Sequence, residues 1–137
     1  IISGGEAEGQ LVGGCLSLFN NLLGTPYFPD VAGNIMVLED IGENVQHIDR
    51  MLCQFKMAGY FHGEDRINGL MIGQLIGAWD DADEDDFTLD ELLRDIIGPV
   101  DFPIITNLAY GHGMRKMTLP LGANVKLNGN EGSLTLL

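Results

Sequence analysis

Positive charge is scarce in this 137-residue sequence, which has 7 Lys and Arg residues against 20 Asp and Glu residues, a formal net charge of -13. An acidic surface repels nucleic acids and anionic membranes, so we expect neither as a partner. Long apolar runs are also missing, since none approaches the roughly 20 residues that span a bilayer. The acidic net charge argues against nucleic acids and anionic membranes as partners, but it does not indicate which reaction, if any, the protein catalyses.

Cysteine is equally rare. Cys15 and Cys53 each fall in a segment with a helical pattern, and no C-x-x-C pair is present. This usage is typical of buried, reduced thiols in a cytoplasmic protein, and it predicts neither a disulfide nor a thiolate metal site. We therefore expect no metal and no cofactor.

The acidic run at residues 80–86 is the one segment with a possible metal pattern. Asp81, Asp83 and Asp85 match the first alternating ligands of a calcium-binding loop. The match then fails, because Asp86 stands where the sharp turn needs glycine and Leu92 where a bidentate glutamate is needed. The run is therefore predicted to be a mobile, solvated loop without metal.

The size and hydrophobic content indicate one domain over residues 1–137. A chain of this length with 45% hydrophobic residues can bury a substantial core. Its 19 glycines are spread between apolar segments, as in a fold with many tight turns. The residue patterns below predict an α/β domain with a mixed sheet.

The most informative segment is the apolar run Ile35-Met36-Val37-Leu38, which ends in Glu39 and Asp40. Such a run between glycines predicts a strand that is buried on both faces. In α/β folds, ligands and catalytic groups gather beyond the carboxyl ends of strands. Asp40 should point to the opposite side from Glu39, which makes Glu39 the better candidate for a functional carboxylate.

Helices and further strands surround this run. We predict a strand at 6–12, a turn at 13–14, a helix at 15–23, an amphipathic helix ending near 59, a buried strand at 67–76, a capped helix opening at Thr88, a strand at 103–108, and a hairpin around Asn128-Gly129 with flanking apolar residues.

Among the three histidines, only His112 lies between glycines directly after a predicted buried strand. Flanking glycines leave room for a substrate or another polypeptide to approach the imidazole. If the two strand ends are neighbours, Glu39 would accept the imidazole N–H and stabilise the imidazolium that forms during proton transfer. The pair would form two members of a catalytic triad. Glu43, in the turn after Gly42, is a weaker rival for the carboxylate.

A nucleophile is missing from the sequence. The only serines are Ser3, Ser17 and Ser133, and none lies in a nucleophile-elbow motif. A buried helical cysteine without a neighbouring base is inert and cannot replace the serine. Any triad therefore needs a serine from outside this sequence.

Several segments in sequence order resemble the carboxyl-terminal half of the LD-carboxypeptidases. They are Gly9-Gln10-Leu11-Val12-Gly13-Gly14-Cys15-Leu16, Leu23-Gly24-Thr25-Pro26, Val37-Leu38-Glu39-Asp40-Ile41, Asp49-Arg50-Met51-Leu52, and Gly111-His112 with Thr118-Leu119-Pro120-Leu121-Gly122. The resemblance covers nearly the whole sequence and implies a swivelling β/β/α three-layer fold with a mixed sheet. Glu39 and His112 match the catalytic Glu and His of that family. Cys15 stands where relatives commonly have Asn, so a polar contact made by that Asn is in doubt here.

The resemblance also implies a function for the complete protein. Family members are cytoplasmic, usually homodimeric serine peptidases that release D-alanine from murein tetrapeptide in cell-wall recycling, and microcin-immunity peptidases are relatives. Their serine lies in an amino-terminal domain, absent here. The substrate stays open among murein tetrapeptide, other L,D-linked peptides and a microcin conjugate. Arg50 and Arg115 are candidates for binding the substrate carboxylate.

A second interpretation is a binding or dimerisation module that keeps the fold without catalysis. A carboxylate and an imidazole at strand ends favour the peptidase, whereas the missing nucleophile favours the module for this chain alone.

Overall fold

A computed structural model describes residues 1–83 and 85–137 of the protein. Within those residues the chain forms six strands and three α-helices. In chain order they are β1 (Glu6–Cys15), α1 (Leu16–Asn21), β2 (Ile35–Ile41), α2 (Val45–Met57), β3 (Gly69–Ile76), α3 (Leu89–Ile97), β4 (Ile104–Ile105), β5 (Asn124–Asn128) and β6 (Ser133–Leu136).

The strands form one curled, mixed sheet in the order β4-β3-β2-β1-β5-β6. Strands β1 to β4 are parallel, whereas β5 pairs antiparallel with β1 and with β6. Helices α1 to α3 connect the parallel strands, as parallel pairing requires crossover connections. The predicted α/β class with a mixed sheet is confirmed.

The alternation of β2 side chains divides the core into two clusters. Met36 and Leu38 pack with the helices on one face of the sheet. Ile35 and Val37 pack on the other face with Val125, because the sheet curls and brings β5 over this surface. These four apolar side chains of β2 are fully buried, and each contributes about 1.5–3 kcal/mol of hydrophobic stabilisation. Helices, parallel strands and hairpin thus form three layers, and Glu39 shares its face with the hairpin layer.

Helices α2 and α3 both have N-terminal side-chain caps; the cap of α3 is predicted from the sequence and confirmed, whereas the cap of α2 is not among the predictions. Asn44 caps α2 by accepting the His47 backbone N–H, and α2 buries Ile48 and Leu52. Thr88 and Glu91 form the predicted capping box at the start of α3.

The predicted turn at Gly13-Gly14 is wrong, because β1 continues to Cys15. Gly13 and Gly14 pair with Val37 and Leu38 in the parallel ladder. A Cβ atom on Gly13 would collide with the carbonyl oxygen of Val37. Glycine therefore serves here for the close approach of two strands, which a turn signal does not distinguish.

Three smaller expectations also need correction. Cys15 ends β1 and does not lie inside a helix, and both Cys15 and Cys53 are free but only partly buried. Strand β4 is limited to two residues and does not extend over 103–108; Asn107, with φ of 61°, breaks the extended conformation. The hairpin forms as predicted, but residues 129–132 connect its paired ends Asn128 and Ser133.

Within the described ranges, 1–83 and 85–137, no group of three or more His, Cys, Asp and Glu side chains is placed to hold a metal ion. Glu84 lies outside these ranges, so the expectation for the acidic run at 80–86 stays a prediction. No helix in the described part of the chain has both the length and the apolar character to cross a bilayer.

The first testable prediction concerns the two strand glycines. Gly13 and Gly14 have φ values of 138° and 150°, but an added Cβ meets other atoms only at Gly13. We expect Gly13→Ala to lower the free energy of unfolding by at least about 2 kcal/mol more than Gly14→Ala, because β1 must move away from β2. Urea denaturation of both variants measures the difference. Equal losses would contradict the close-approach role of Gly13.

Candidate active site

The site lies where β2 and β3 end and the loop 109–117 crosses them. Glu39 follows the buried part of β2, and its side chain is 7% exposed. His112 lies on the loop, with half of its side chain exposed. His112 Nδ1 is 2.9 Å from Glu39 Oε2. The predicted proximity of these two residues is therefore confirmed.

The hydrogen bond defines what each ring nitrogen can do. An ionised carboxylate only accepts hydrogen bonds, so Glu39 accepts a hydrogen bond that Nδ1–H donates. In the neutral ring, Nε2 then carries the lone pair and can take a proton from another group. The arrangement is that of a general base held in one tautomer by a buried carboxylate.

Glycines allow the loop to lie directly on Glu39. A Cβ on Gly111 would be 2.7 Å from Glu39 Oε2, and the φ of Gly111 is 128°. A Cβ on Gly73 in β3 would collide with the carbonyl oxygen of Tyr110. The hydrogen bond from Gln74 N–H to Tyr110 O, 2.9 Å long, fastens the loop to β3 at this point.

Asp40 has a different role from Glu39, as the strand alternation predicts. Its carboxylate faces the helix layer and accepts the backbone N–H of Ser17 at 2.7 Å, near the start of α1. A carboxylate at that position compensates the free N–H groups of the helix. Cys15 Sγ lies 3.5 Å from the same oxygen and 3.3 Å from Ser17 Oγ. In this chain the thiol thus contacts Asp40 and Ser17.

The other candidates are spread over the molecule. Glu43 precedes α2 and pairs with His47 in the first turn of that helix. His62 Nε2 contacts the carbonyl oxygen of Ile97, near the end of α3. Within residues 1–83 and 85–137, neither histidine makes a hydrogen bond to Glu39.

The two arginine candidates lie in different layers. Arg115 is exposed and belongs to the His112 loop. Arg50 is exposed on α2, whose buried residues pack on the opposite face of the sheet from Glu39. Arg115 is therefore the better placed of the two, and a role in substrate binding stays a prediction for both.

Sequence reasoning did not identify Tyr110 and Gln74. Tyr110 packs with the cluster on the Glu39 face. Gln74 Oε1 accepts the backbone N–H of Gly113 at 2.8 Å. A usable signal existed for Gln74, because it is the one polar side chain in the segment GLMIGQLI of β3.

Comparisons with known proteins identify the family of this domain. Residues 8–127 match the family model described as LD-carboxypeptidase C-terminal domain. The chain is 35% identical over 127 residues to the probable murein peptide carboxypeptidase of Bacillus subtilis, covering 93% of this chain and 39% of the relative. The chain belongs to the LD-carboxypeptidase C-terminal domain family.

Solved structures show the same fold. The muramoyltetrapeptide carboxypeptidase from Oxalobacter formigenes matches with a TM-score of 0.79 and 28% identity, over 98% of this chain and 46% of that one. The microcin C7 self-immunity protein MccF matches with a TM-score of 0.83 and 19% identity, over 98% of this chain and 39% of that one, a likeness of fold. The chain spans about two fifths of the length of the curated relatives it matches.

The second testable prediction concerns Tyr110 beside Glu39. Burial, and then the negative charges of Glu39 and Cys15, raise the pKa of Tyr110 above its ordinary value of about 10. The folded state then holds the phenolic proton more tightly than the unfolded chain. Its contribution to stability is complete below about pH 10 and is lost as pH rises through the folded pKa. We expect Tyr110→Phe to reduce the loss of stability between about pH 9 and pH 11.

Urea denaturation at the two pH values measures this loss. Burial also raises the pKa of Tyr60, so part of the loss remains in Tyr110→Phe. Tyr27, which is 79% exposed, provides the control Tyr27→Phe. Identical losses in both variants would show that the pKa of Tyr110 is not raised in the folded state.

Proposed function

We propose that this chain supplies the Glu and His of a Ser-Glu-His triad in a carboxypeptidase. The observation that carries the proposal is the 2.9 Å contact between His112 Nδ1 and Glu39 Oε2, with the half-exposed ring beyond the strand ends. The serine would come from an amino-terminal domain. Ser17 Oγ and Ser133 Oγ contact Cys15 and Glu131, and no hydrogen bond joins a serine hydroxyl to His112 in the part of the chain that the structure describes.

The chemistry follows from these two groups. His112 Nε2 takes the serine proton while the serine oxygen attacks the carbonyl carbon of the terminal peptide bond, and Glu39 stabilises the imidazolium. Backbone amides of the serine-bearing domain would hold the oxyanion. The C–N bond breaks when the imidazolium returns its proton to the leaving amine. A water molecule then attacks the acyl-enzyme while His112 takes a proton from it. The imidazolium returns this proton to the serine oxygen, and the ester bond to the serine breaks.

The substrate we propose is murein tetrapeptide, from which the enzyme releases the terminal D-alanine at an L,D bond in cell-wall recycling. The name of the Oxalobacter relative supports this choice. Other L,D-linked peptides and a microcin conjugate are the competing substrates. We further propose that the complete protein is cytoplasmic and homodimeric, as the resemblance implies.

A third prediction tests the roles of the pair. With the serine-bearing domain supplied, we expect His112→Ala and Glu39→Gln each to lower kcat by about 10³-fold or more, because the base or its tautomer control is lost. D-Alanine release from murein tetrapeptide measures the rate. His62→Ala is the matched control and should retain the native rate. Full activity of His112→Ala would remove His112 from the mechanism.

A fourth prediction is that this chain folds by itself but releases no D-alanine. The two core clusters and the capped helices lie within the chain, so cooperative unfolding in urea is expected. Without a nucleophile the covalent route is closed. Release of D-alanine by the chain alone would contradict the need for an outside serine, and loss of that release in a Ser17→Ala, Ser133→Ala double variant would show that one of these two serines is the nucleophile.

One observation favours a binding or dimerisation module as a second candidate. A groove of about 470 Å³ lies away from the pair, between the segment after β4, residues 117–120 and the hairpin. Its lining includes Met71, Leu108, Leu119 and Leu134. The apolar lining suits a protein partner. Sedimentation of the chain alone tests association, and the D-alanine assay separates this candidate from the peptidase.

A further inference from the structure

Strand β3 has one extra residue opposite Glu39. The ladder joins Leu38 to Ile72 and then Asp40 to Leu75, so two steps along β2 correspond to three along β3. The residues Gly73 and Gln74 therefore face the single residue Glu39. Such bulges occur beside active sites, where they change the direction of a side chain.

The bulge lets Gln74 bind the loop on both sides of His112. Its backbone N–H donates to Tyr110 O at 2.9 Å. Its side-chain Oε1 accepts the Gly113 N–H at 2.8 Å, and its Nε2 donates to Arg115 O at 3.5 Å. Gln74 thus contacts the residues two before, one after and three after His112.

The loop also lies so close to Gln74 that any larger residue at position 113 would displace the Gln74 amide. A Cβ on Gly113 would be 2.5 Å from Gln74 Nε2 and 2.6 Å from its Cδ. The loop ends are joined separately, by the Met117 N–H donating to Ala109 O at 2.6 Å. Between those ends, the amide of Gln74 supplies the side-chain contacts that fix residues 113 and 115.

We propose that Gln74 is the positioning residue for His112. It holds the loop so that Nδ1 faces Glu39 and Nε2 faces the space beyond the strand ends. The inference rests on the proposed function, in which His112 is the base. A displacement of the catalytic base by about 1 Å can lower the rate on the order of 10²-fold, so the loss of one amide contact that positions His112 can lower the rate.

The primary test is NMR spectroscopy of this chain with Gln74→Met, which keeps the side-chain length and removes both polar contacts. We expect amide hydrogen exchange at Gly113 to be at least about tenfold faster, because its acceptor is gone. The proton signal of His112 Nδ1 should broaden or disappear as the ring leaves Glu39. Gln54→Met, on the exposed side of α2, is the matched control and should change neither signal.

A second variant separates positioning from general destabilisation. Gln74→Glu keeps an acceptor for Gly113 and loses the donor to Arg115, so we expect slow Gly113 exchange and a retained His112 signal. If Gln74→Met does not fold, Gln74→Glu decides the question. Native signals in folded Gln74→Met, or loss of both signals in folded Gln74→Glu, overturns the proposal.

Activity measurements link the result to catalysis. With the serine-bearing domain supplied, Gln74→Met should lower kcat by roughly 10- to 100-fold while KM changes by less than about threefold. An unchanged kcat overturns the positioning role. A fully active His112→Ala would instead overturn the proposed function, and the NMR result would still report on the loop, so the two failures are distinguishable.

Discussion

The hydrogen bond between Glu39 and His112 is the interaction on which the site depends. A carboxylate that is 7% exposed must have polar partners, because burying an unpaired charge is costly. The imidazole supplies such a partner from a loop 73 residues further along the chain. The fold brings the two together by placing β2 in the centre of the parallel strands and leading the loop 109–117 across its carboxyl end. The buried strand holds the carboxylate rigidly, whereas the imidazole stays open to a second polypeptide.

Close backbone packing is the condition for that bond. Gly73, Gly111 and Gly113 each lie where a Cβ would meet Tyr110, Glu39 or Gln74. The loop can therefore lie on the strand ends at backbone distance, and its few regular hydrogen bonds are supplemented by the Gln74 amide. The same device recurs at Gly13, where β1 meets β2. Glycine in this domain serves close approach as well as turns.

Much of the fold and part of the site could be predicted from the sequence. The apolar run ending in Glu39, the apolar stripe of α2, the Thr88 capping box and the glycine-flanked His112 are local patterns, and they indicate β2, α2, α3 and the two candidate site residues. The extent of β1 could not be predicted, because Gly13-Gly14 has the composition of a turn and its pairing with Val37 depends on a distant strand. Gln74 was missed because its importance comes from a bulge, and the local sequence does not indicate a one-residue shift in strand register. The lone amide in an apolar strand is the signal that can identify such a residue.

The tautomer of neutral His112 tests the central claim most directly. Nitrogen-15 chemical shifts of the imidazole in this chain distinguish a proton on Nδ1 from one on Nε2, with Glu39→Gln as the comparison. Because Glu39 accepts a hydrogen bond from Nδ1–H, the account predicts that the Nδ1-protonated form dominates in the native chain and loses that dominance in Glu39→Gln. A native ring protonated mainly on Nε2, or a tautomer balance that Glu39→Gln leaves unchanged, would contradict it.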